Sequence, residues 1–136
     1  MICMKKYVFF AMTAMLLMTG CRHTKGLDAL QGEWSIVSIE ALNVPDSVEA
    51  FMGFDVAEKS IYGNAGCNAI LGTLPDEVGE MPLFAALGST QRMCADMAVE
   101  TALFDVLGKV YTFSVDGDML YLLDADDKVT VVLKKR

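Results

Sequence analysis

Short runs that alternate apolar and polar residues fill most of the chain from Gly32 onward, and they constrain the fold more than any other feature. In the first run we expect Trp34, Ile39 and either Ile36 or Val37 to face inward, as in a half-buried strand. Turn-forming residues separate successive runs, which is typical of antiparallel strands with tight connections. The pattern predicts eight strands, over residues 32–39, 51–56, 60–63, 67–74, 81–87, 111–115, 119–123 and 129–133.

One segment has a different period. Between residues 96 and 110 the apolar positions recur at three and four, which indicates an amphipathic helix. We expect Asp96 to cap its N-terminus by accepting free amide hydrogens, and Gly108 to end it in the left-handed conformation. The pattern as a whole predicts an α+β domain, a small antiparallel β-barrel-like sheet with one packed α-helix.

The N-terminus has the pattern of an export signal. Lys5 and Lys6 precede an apolar run over residues 7–18, which is shorter than the roughly 20 residues of a membrane-spanning helix. The run ends in Leu17-Met18-Thr19-Gly20-Cys21, a sequence that resembles a bacterial lipobox. A buried N-terminal helix is the alternative interpretation of this segment.

The lipobox interpretation divides the chain and predicts its location. We expect a signal peptide at residues 1–20, a lipidated tether at 21–27 and a folded domain at 28–136, with the lipid on Cys21. The expected location is the bacterial cell envelope, with the lipid in the outer membrane or on the periplasmic face of a membrane. The expected partners are the membrane itself and an unknown envelope protein.

Charge excludes one class of partner, and residue types argue against several chemistries. The net charge of the chain is −7, and within the expected folded domain cations cluster only at residues 134–136, so we expect no nucleic-acid binding. The single histidine, His23, lies in the tether and cannot serve as a positioned base for Cys67. We therefore expect no catalytic residues, no metal site and no cofactor, although a pair of carboxylates acting in hydrolysis is left open.

Cys67 and Cys94 are the two cysteines of the expected domain, and they form one candidate disulfide. Thiols tend to be oxidised outside the cytoplasm, and a bridge here would close a loop of about 28 residues, which is worth ~3.5 kcal/mol in the chain-entropy model. Two free buried thiols are the alternative. Gly66 would let the chain turn tightly beside Cys67, and Asn64 and Asn68 would bond local backbone.

These residues belong to a longer pattern that resembles the META domain, also called the HslJ-like domain. The pattern consists of Leu30-x-Gly-x-Trp34, Gly66-Cys67-Asn68, Gly72, Thr90-x-x-x-Cys94, Glu100, Phe104 and Leu120-x-Leu122. The resemblance implies a small β-barrel-like fold with a packed helix, often on a secreted or lipid-anchored bacterial protein. It supplies no established catalytic residues.

Three functions remain open at this point. The first is a non-enzymatic, lipid-anchored envelope protein that acts in stress tolerance or envelope maintenance through protein contacts. The second is a small-molecule-binding barrel with its ligand beside residues 64–68, and the third is an inhibitor of an envelope protease or other hydrolase. A closed core packed with Trp34, Phe113 and Tyr121 favours the first, whereas an open cavity of about 300 Å³ or more favours the second.

Overall fold

A computed structural model describes residues 26–76 and 83–136. The signal peptide, the Cys21 lipidation site and the first part of the expected 81–87 strand lie outside the described residues. The elements are a short 3-10 helix (Leu27–Leu30), nine strands and one α-helix. The strands are β1 (Gly32–Ile39), β2 (Leu42–Asn43), β3 (Ala50–Asp55), β4 (Ser60–Ala65), β5 (Ala69–Thr73), β6 (Ala85–Ser89), β7 (Val110–Asp116), β8 (Met119–Asp124) and β9 (Val129–Lys135), and the helix is α1 (Ala98–Leu107).

All nine strands belong to one antiparallel sheet that curls into a half-barrel around α1. The strand order is β6-β5-β4-β3-β1-β9-β8-β7, and β2 pairs with β1 outside this path. The N–H of Leu83, just before β6, donates to the C=O of Val110 at 2.6 Å, which links the two ends of the sheet. The predicted α+β, barrel-like architecture is confirmed.

The core lies between the concave face of the sheet and the helix. Trp34 is 2% exposed and its indole N–H donates to the C=O of Leu30 at 2.9 Å, so the ring is both packed and satisfied. On α1, Leu103 and Leu107 are fully buried, and the helix packs against β1, β4 and β9. The apolar side chains that recur with period 2 along the strands and period 3.6 along the helix therefore pack together in one layer.

A bulge in β1 decides which of two neighbouring residues faces the core. The register between β1 and β9 shifts between Ile36 and Ser38, which turns Val37 outward. Ile36 is 4% exposed and Val37 is 41% exposed.

Several local predictions are wrong. Leu42–Asn43 forms a short strand that was not among the eight predicted, because it folds back on Ser38 and Ile39. The strand after residue 67 begins only at Ala69, because Cys67 and Asn68 belong to the turn. Within the described part of the expected 81–87 strand, Leu83 and Phe84 are not in the strand, which covers Ala85–Ser89.

The helix ends also differ from the prediction. Met97 occupies the N-cap position without a side-chain cap, although an Asp96 carboxylate oxygen accepts the Ala98 N–H at 2.9 Å. Gly108 ends the helix at φ −73°, in the right-handed region, because Lys109 N–H closes a tight turn onto the Val106 C=O at 2.9 Å. Phe113 and Tyr121 are only partly buried, in contrast to Trp34.

Candidate functional site

The β4–β5 turn carries the Gly-Cys-Asn motif and depends on the conformation of its glycine. Gly66 has φ +108°, where a side chain is strained, and a Cβ there would lie 3.3 Å from Val48. The Asn64 side-chain oxygen accepts the Gly66 N–H at 2.7 Å, and the Ala65 N–H donates to the Asn68 C=O at 2.9 Å. The predicted local bond of Asn64 is therefore confirmed.

Gly72, the next glycine of the motif, lies in a closely packed part of the sheet. Its φ is not positive, but a Cβ at this position would lie 3.1 Å from Leu87 and 3.2 Å from Ile61. A larger residue would require the ends of these two side chains to shift by a few tenths of an ångström.

Cys67 and Cys94 come together in a disulfide, with their Cα atoms 6.1 Å apart. Cys67 is buried in the β4–β5 turn, and Cys94 lies in the segment that connects β6 to α1. The bridge therefore ties this connecting segment, residues 90–97, to the sheet.

Asn68 makes contacts that are distant in sequence, in contrast to the local role expected for it. Its side-chain amide donates to the Arg92 C=O at 3.0 Å and to a Glu100 carboxylate oxygen at 2.7 Å. Its side-chain oxygen accepts the Thr90 hydroxyl at 2.9 Å and the Arg92 N–H at 2.6 Å. With 2% of its surface exposed, Asn68 uses its full hydrogen-bonding capacity inside the protein.

Two further side chains complete this group. The Thr90 hydroxyl also accepts the Ala69 N–H at 3.0 Å, and the second carboxylate oxygen of Glu100 accepts the Asn68 N–H at 2.8 Å. Glu100 is 8% exposed, so its carboxylate is desolvated and bonded to the backbone and side chain of one residue. We call Asn68, Thr90, Arg92, Glu100 and the Cys67–Cys94 disulfide the Asn68 cluster.

Glu100 belongs to the motif pattern, which implies no role for it, but its position in the sequence indicates one. Glu100 lies three and seven residues before the buried Leu103 and Leu107, so it occupies an apolar-face position of the helix. An acid at such a position is buried, and buried carboxylates require hydrogen-bond donors. The identity of the donors could not be found locally, because Asn68 is 32 residues away.

The connecting segment exposes one large apolar side chain. Residues 90–97 form no helix or strand, and Met93 is 86% exposed. Its neighbours on either side, Arg92 and Cys94, are the residues held by Asn68 and by the disulfide.

Two cavities flank the loop that precedes β3. One of about 350 Å³ lies beside Gly66 and the start of α1 and is lined by Ser47, Val48, Glu49, Ala65, Gly66, Asp96, Val99 and Glu100. The other, of about 290 Å³, lies between the same loop and the end of β9, where Lys134 and Arg136 border it. Val48 and Glu49 contribute to both cavities, and Arg136 forms an ion pair with Glu49.

A tyrosine lies flat on the convex face of the sheet. The ring of Tyr62 covers Gly53, where a Cβ would lie 2.2 Å from the ring, and its hydroxyl donates to Glu33 at 3.2 Å. Partial burial, the hydrogen bond to Glu33 and the nearby Asp55 carboxylate raise the pKa of the Tyr62 phenol.

The Asn68 cluster is suited to holding structure rather than to chemistry. Its thiols are joined, and its carboxylate and amide are bonded to each other. Among the described residues, no three His, Cys, Asp or Glu side chains form a group able to hold a metal ion. In the same residues, no helix is long and apolar enough to cross a membrane.

The META domain model matches residues 27–136. The chain belongs to the META domain family. The resemblance seen in the Gly-Cys-Asn and Thr-x-x-x-Cys motifs is therefore confirmed, and in this META protein those motifs form the Asn68 cluster.

Two solved structures are similar to this META protein in fold. One, determined by NMR, is 23% identical with a TM-score of 0.62, and the match covers 82% of this chain and 95% of that one. The other is a crystal structure of a DUF4847 family protein from Bacteroides vulgatus, 12% identical with a TM-score of 0.53, covering 79% of this chain and 94% of that one. At these identities the likeness concerns the fold alone. No curated protein matches the chain.

Proposed function

We propose that this META protein is a non-enzymatic, lipid-anchored protein of the bacterial envelope that acts through contacts with another envelope protein. The observation that carries the proposal is the mutual bonding within the Asn68 cluster. The motif side chains use their hydrogen-bonding groups on one another, and the result is a segment of fixed shape, residues 90–97, on the protein surface. A rigid exposed segment serves recognition, because it loses little conformational entropy on binding.

The anchor is supported by the sequence alone, through the run over residues 7–18 and the Leu-Met-Thr-Gly-Cys21 sequence. The role in stress tolerance or envelope maintenance, the envelope location and the absence of enzymatic activity are further parts of the proposal.

The anchor is tested by blocking lipoprotein processing with globomycin in intact cells. We expect the uncleaved precursor to accumulate and, in untreated cells, the mature protein to fractionate with membranes. Cys21→Ala should abolish both lipid attachment and the response to globomycin, and Cys67→Ala serves as the matched cysteine control. An unchanged size and fractionation under globomycin would show that Cys21 is not lipidated.

The protein contact is tested by cross-linking in intact envelopes, followed by identification of the bound chain and of the cross-linked residues on both sides. We expect one envelope protein to be captured by the wild type and lost from the Cys21→Ala strain. A protein that is anchored but captures no specific chain would refute a role through protein contacts.

A second function, small-molecule binding, is favoured by the cavity of about 350 Å³ beside Gly66. Its volume lies at the lower end of the range for ligand sites, and Ser47 and Glu100 among its lining residues offer polar contacts. Native mass spectrometry of protein purified from membranes should then show a bound small molecule that Ser47→Trp removes. Retention of the same species by Ser47→Trp would place it elsewhere.

A further inference from the structure

Met93 is 86% exposed, the largest value among the exposed large apolar residues of the described chain; the next is Leu71 at 53%. A single exposed apolar residue is ordinary in a flexible loop. Met93 is different because the residues on either side of it are fixed. Arg92 is held on one side by Asn68, and Cys94 is held on the other by the disulfide to Cys67.

The bonds to Arg92 also determine the direction of the backbone. One amide side chain, that of Asn68, accepts the Arg92 N–H and donates to the Arg92 C=O. A single amide reaches both groups of one residue only where that residue is extended, because the two groups then point to the same edge. In an extended segment, successive residues present their groups to opposite edges. No described residue bonds to the backbone N–H or C=O of Met93, the residue next to Arg92.

We propose that residues 91–95 form an inhibitory loop for an endopeptidase, with Met93 entering the specificity pocket of the enzyme. The proposal rests on the proposed function, since it names the surface and the class of protein through which this META protein would act. Endopeptidases bind extended chains by pairing with one backbone edge and burying one side chain. The loop offers backbone groups at Met93 that bond to no described residue, and an exposed, unbranched apolar side chain that suits an apolar pocket.

Two restraints on the loop, the Asn68 bonds to Arg92 and the Cys67–Cys94 disulfide, explain why it would inhibit an endopeptidase instead of being degraded by it. Hydrolysis of the Met93–Cys94 bond uses one water and leaves a carboxylate on Met93 and an amine on Cys94. The new amine stays tied to Cys67 through the disulfide, and the new carboxylate is adjacent to Arg92, which Asn68 holds. Because the two ends stay close together, rejoining of the bond competes with release, as it does for well-oriented intramolecular reactants.

The test uses the full chain purified from membranes in mild detergent, with chymotrypsin, which has an apolar specificity pocket, and trypsin, which prefers a cation. We expect the oxidised protein to inhibit chymotrypsin and to resist cleavage after Met93. Met93→Ala should weaken inhibition by roughly 30-fold or more, since a central side chain of an interface is worth about 2 kcal/mol or more. Leu71→Ala, the matched control at the next most exposed apolar residue, should leave inhibition unchanged. After reduction, chymotrypsin should cleave the chain at the Met93–Cys94 bond.

Three results would overturn the assignment. These are no inhibition of chymotrypsin at a large molar excess, equal losses from Met93→Ala and Leu71→Ala, or stronger inhibition of trypsin, which would make Arg92 the pocket residue. Failure of the inhibitory loop can be distinguished from failure of the proposed function. If envelope cross-linking identifies a partner whose cross-links map outside residues 90–97, the role through protein contacts stands and the inhibitory loop fails.

Discussion

Replacement of Asn68 tests whether one buried amide holds the connecting segment, the helix and the β4–β5 turn together. Asn68→Ala removes four side-chain hydrogen bonds, two to Arg92, one to Thr90 and one to Glu100. It leaves the Glu100 carboxylate, which is 8% exposed, with a single donor, the N–H of residue 68. Since a buried charge that loses its partner is more costly than a neutral group, most of the loss should come from Glu100.

The expected loss is about 3–5 kcal/mol of unfolding free energy, a large part of the 5–15 kcal/mol typical of a domain. For a chain of this size the melting temperature should fall by about 10–20 °C. Urea titration followed by far-UV circular dichroism measures the free energy directly. Asn64→Ala is the matched control, since Asn64 makes a single bond within its own turn, and it should cost about 1 kcal/mol.

Asn68→Asp provides a second test of the same role, because the stability of this variant should depend on pH. The substitution replaces the donor 2.7 Å from Glu100 by a second carboxyl group, and two carboxylates this close cannot both be charged without a large penalty. The folded variant therefore binds a proton that the unfolded chain releases, so its deficit relative to wild type should be larger at pH 7 than at pH 4 by about 1 kcal/mol or more. An Asn68→Ala deficit no larger than that of Asn64→Ala, or an Asn68→Asp deficit equal at both pH values, would refute the assigned role of the amide.

Three further predictions concern other parts of the fold. Cys67→Ala/Cys94→Ala should lower the unfolding free energy by about 2–4 kcal/mol and make it insensitive to reductant; two alkylatable thiols in the unreduced wild type would show that the bridge is absent in the cell. Gly53→Ala should cost about 1–3 kcal/mol by displacing the Tyr62 ring, and Tyr62→Ala should remove most of that cost; additive losses in the double variant would contradict this. Backbone N–H groups, chiefly that of Lys128, lower the pKa of Asp124, so this carboxylate stabilises the fold above its unfolded pKa and the contribution is lost as pH falls through the folded value. Asp124→Asn should therefore lose less stability than wild type between neutral and strongly acidic pH, and equal losses in acid urea titrations would rule out a role for Asp124.

The fold was largely predictable because its determinants are local. Trp34, Leu103 and the strand residues follow periods of 2 and 3.6, and these periods alone place them in the core. Details that depend on tertiary contacts were not accessible in this way. Val37 points outward because β1 carries a bulge against β9, and Gly108 is right-handed because Lys109 closes the turn.

The site was predictable in its parts and not in its organisation. The sequence identified Cys67, Asn68, Thr90 and Cys94 and predicted the disulfide, since two cysteines allow only one pairing. It assigned Asn68 a local role because asparagine beside glycine usually bonds its own turn. The observed partners of its side chain lie 22 to 32 residues away, and no pattern of spacing contains that information.

The disulfide and Asn68 restrain the same connecting segment, residues 90–97, in different ways. A disulfide acts mainly by restricting the unfolded chain, and it keeps Cys94 near Cys67 without fixing the direction of the residues before it. Asn68 acts in the folded state, because its bonds to both backbone groups of Arg92 determine which edge of the segment faces outward. A variant without the cysteines should therefore keep the shape of the loop at lower stability. A variant without Asn68 should keep the covalent connection and lose the shape, so Asn68, rather than either cysteine, determines how Met93 is presented.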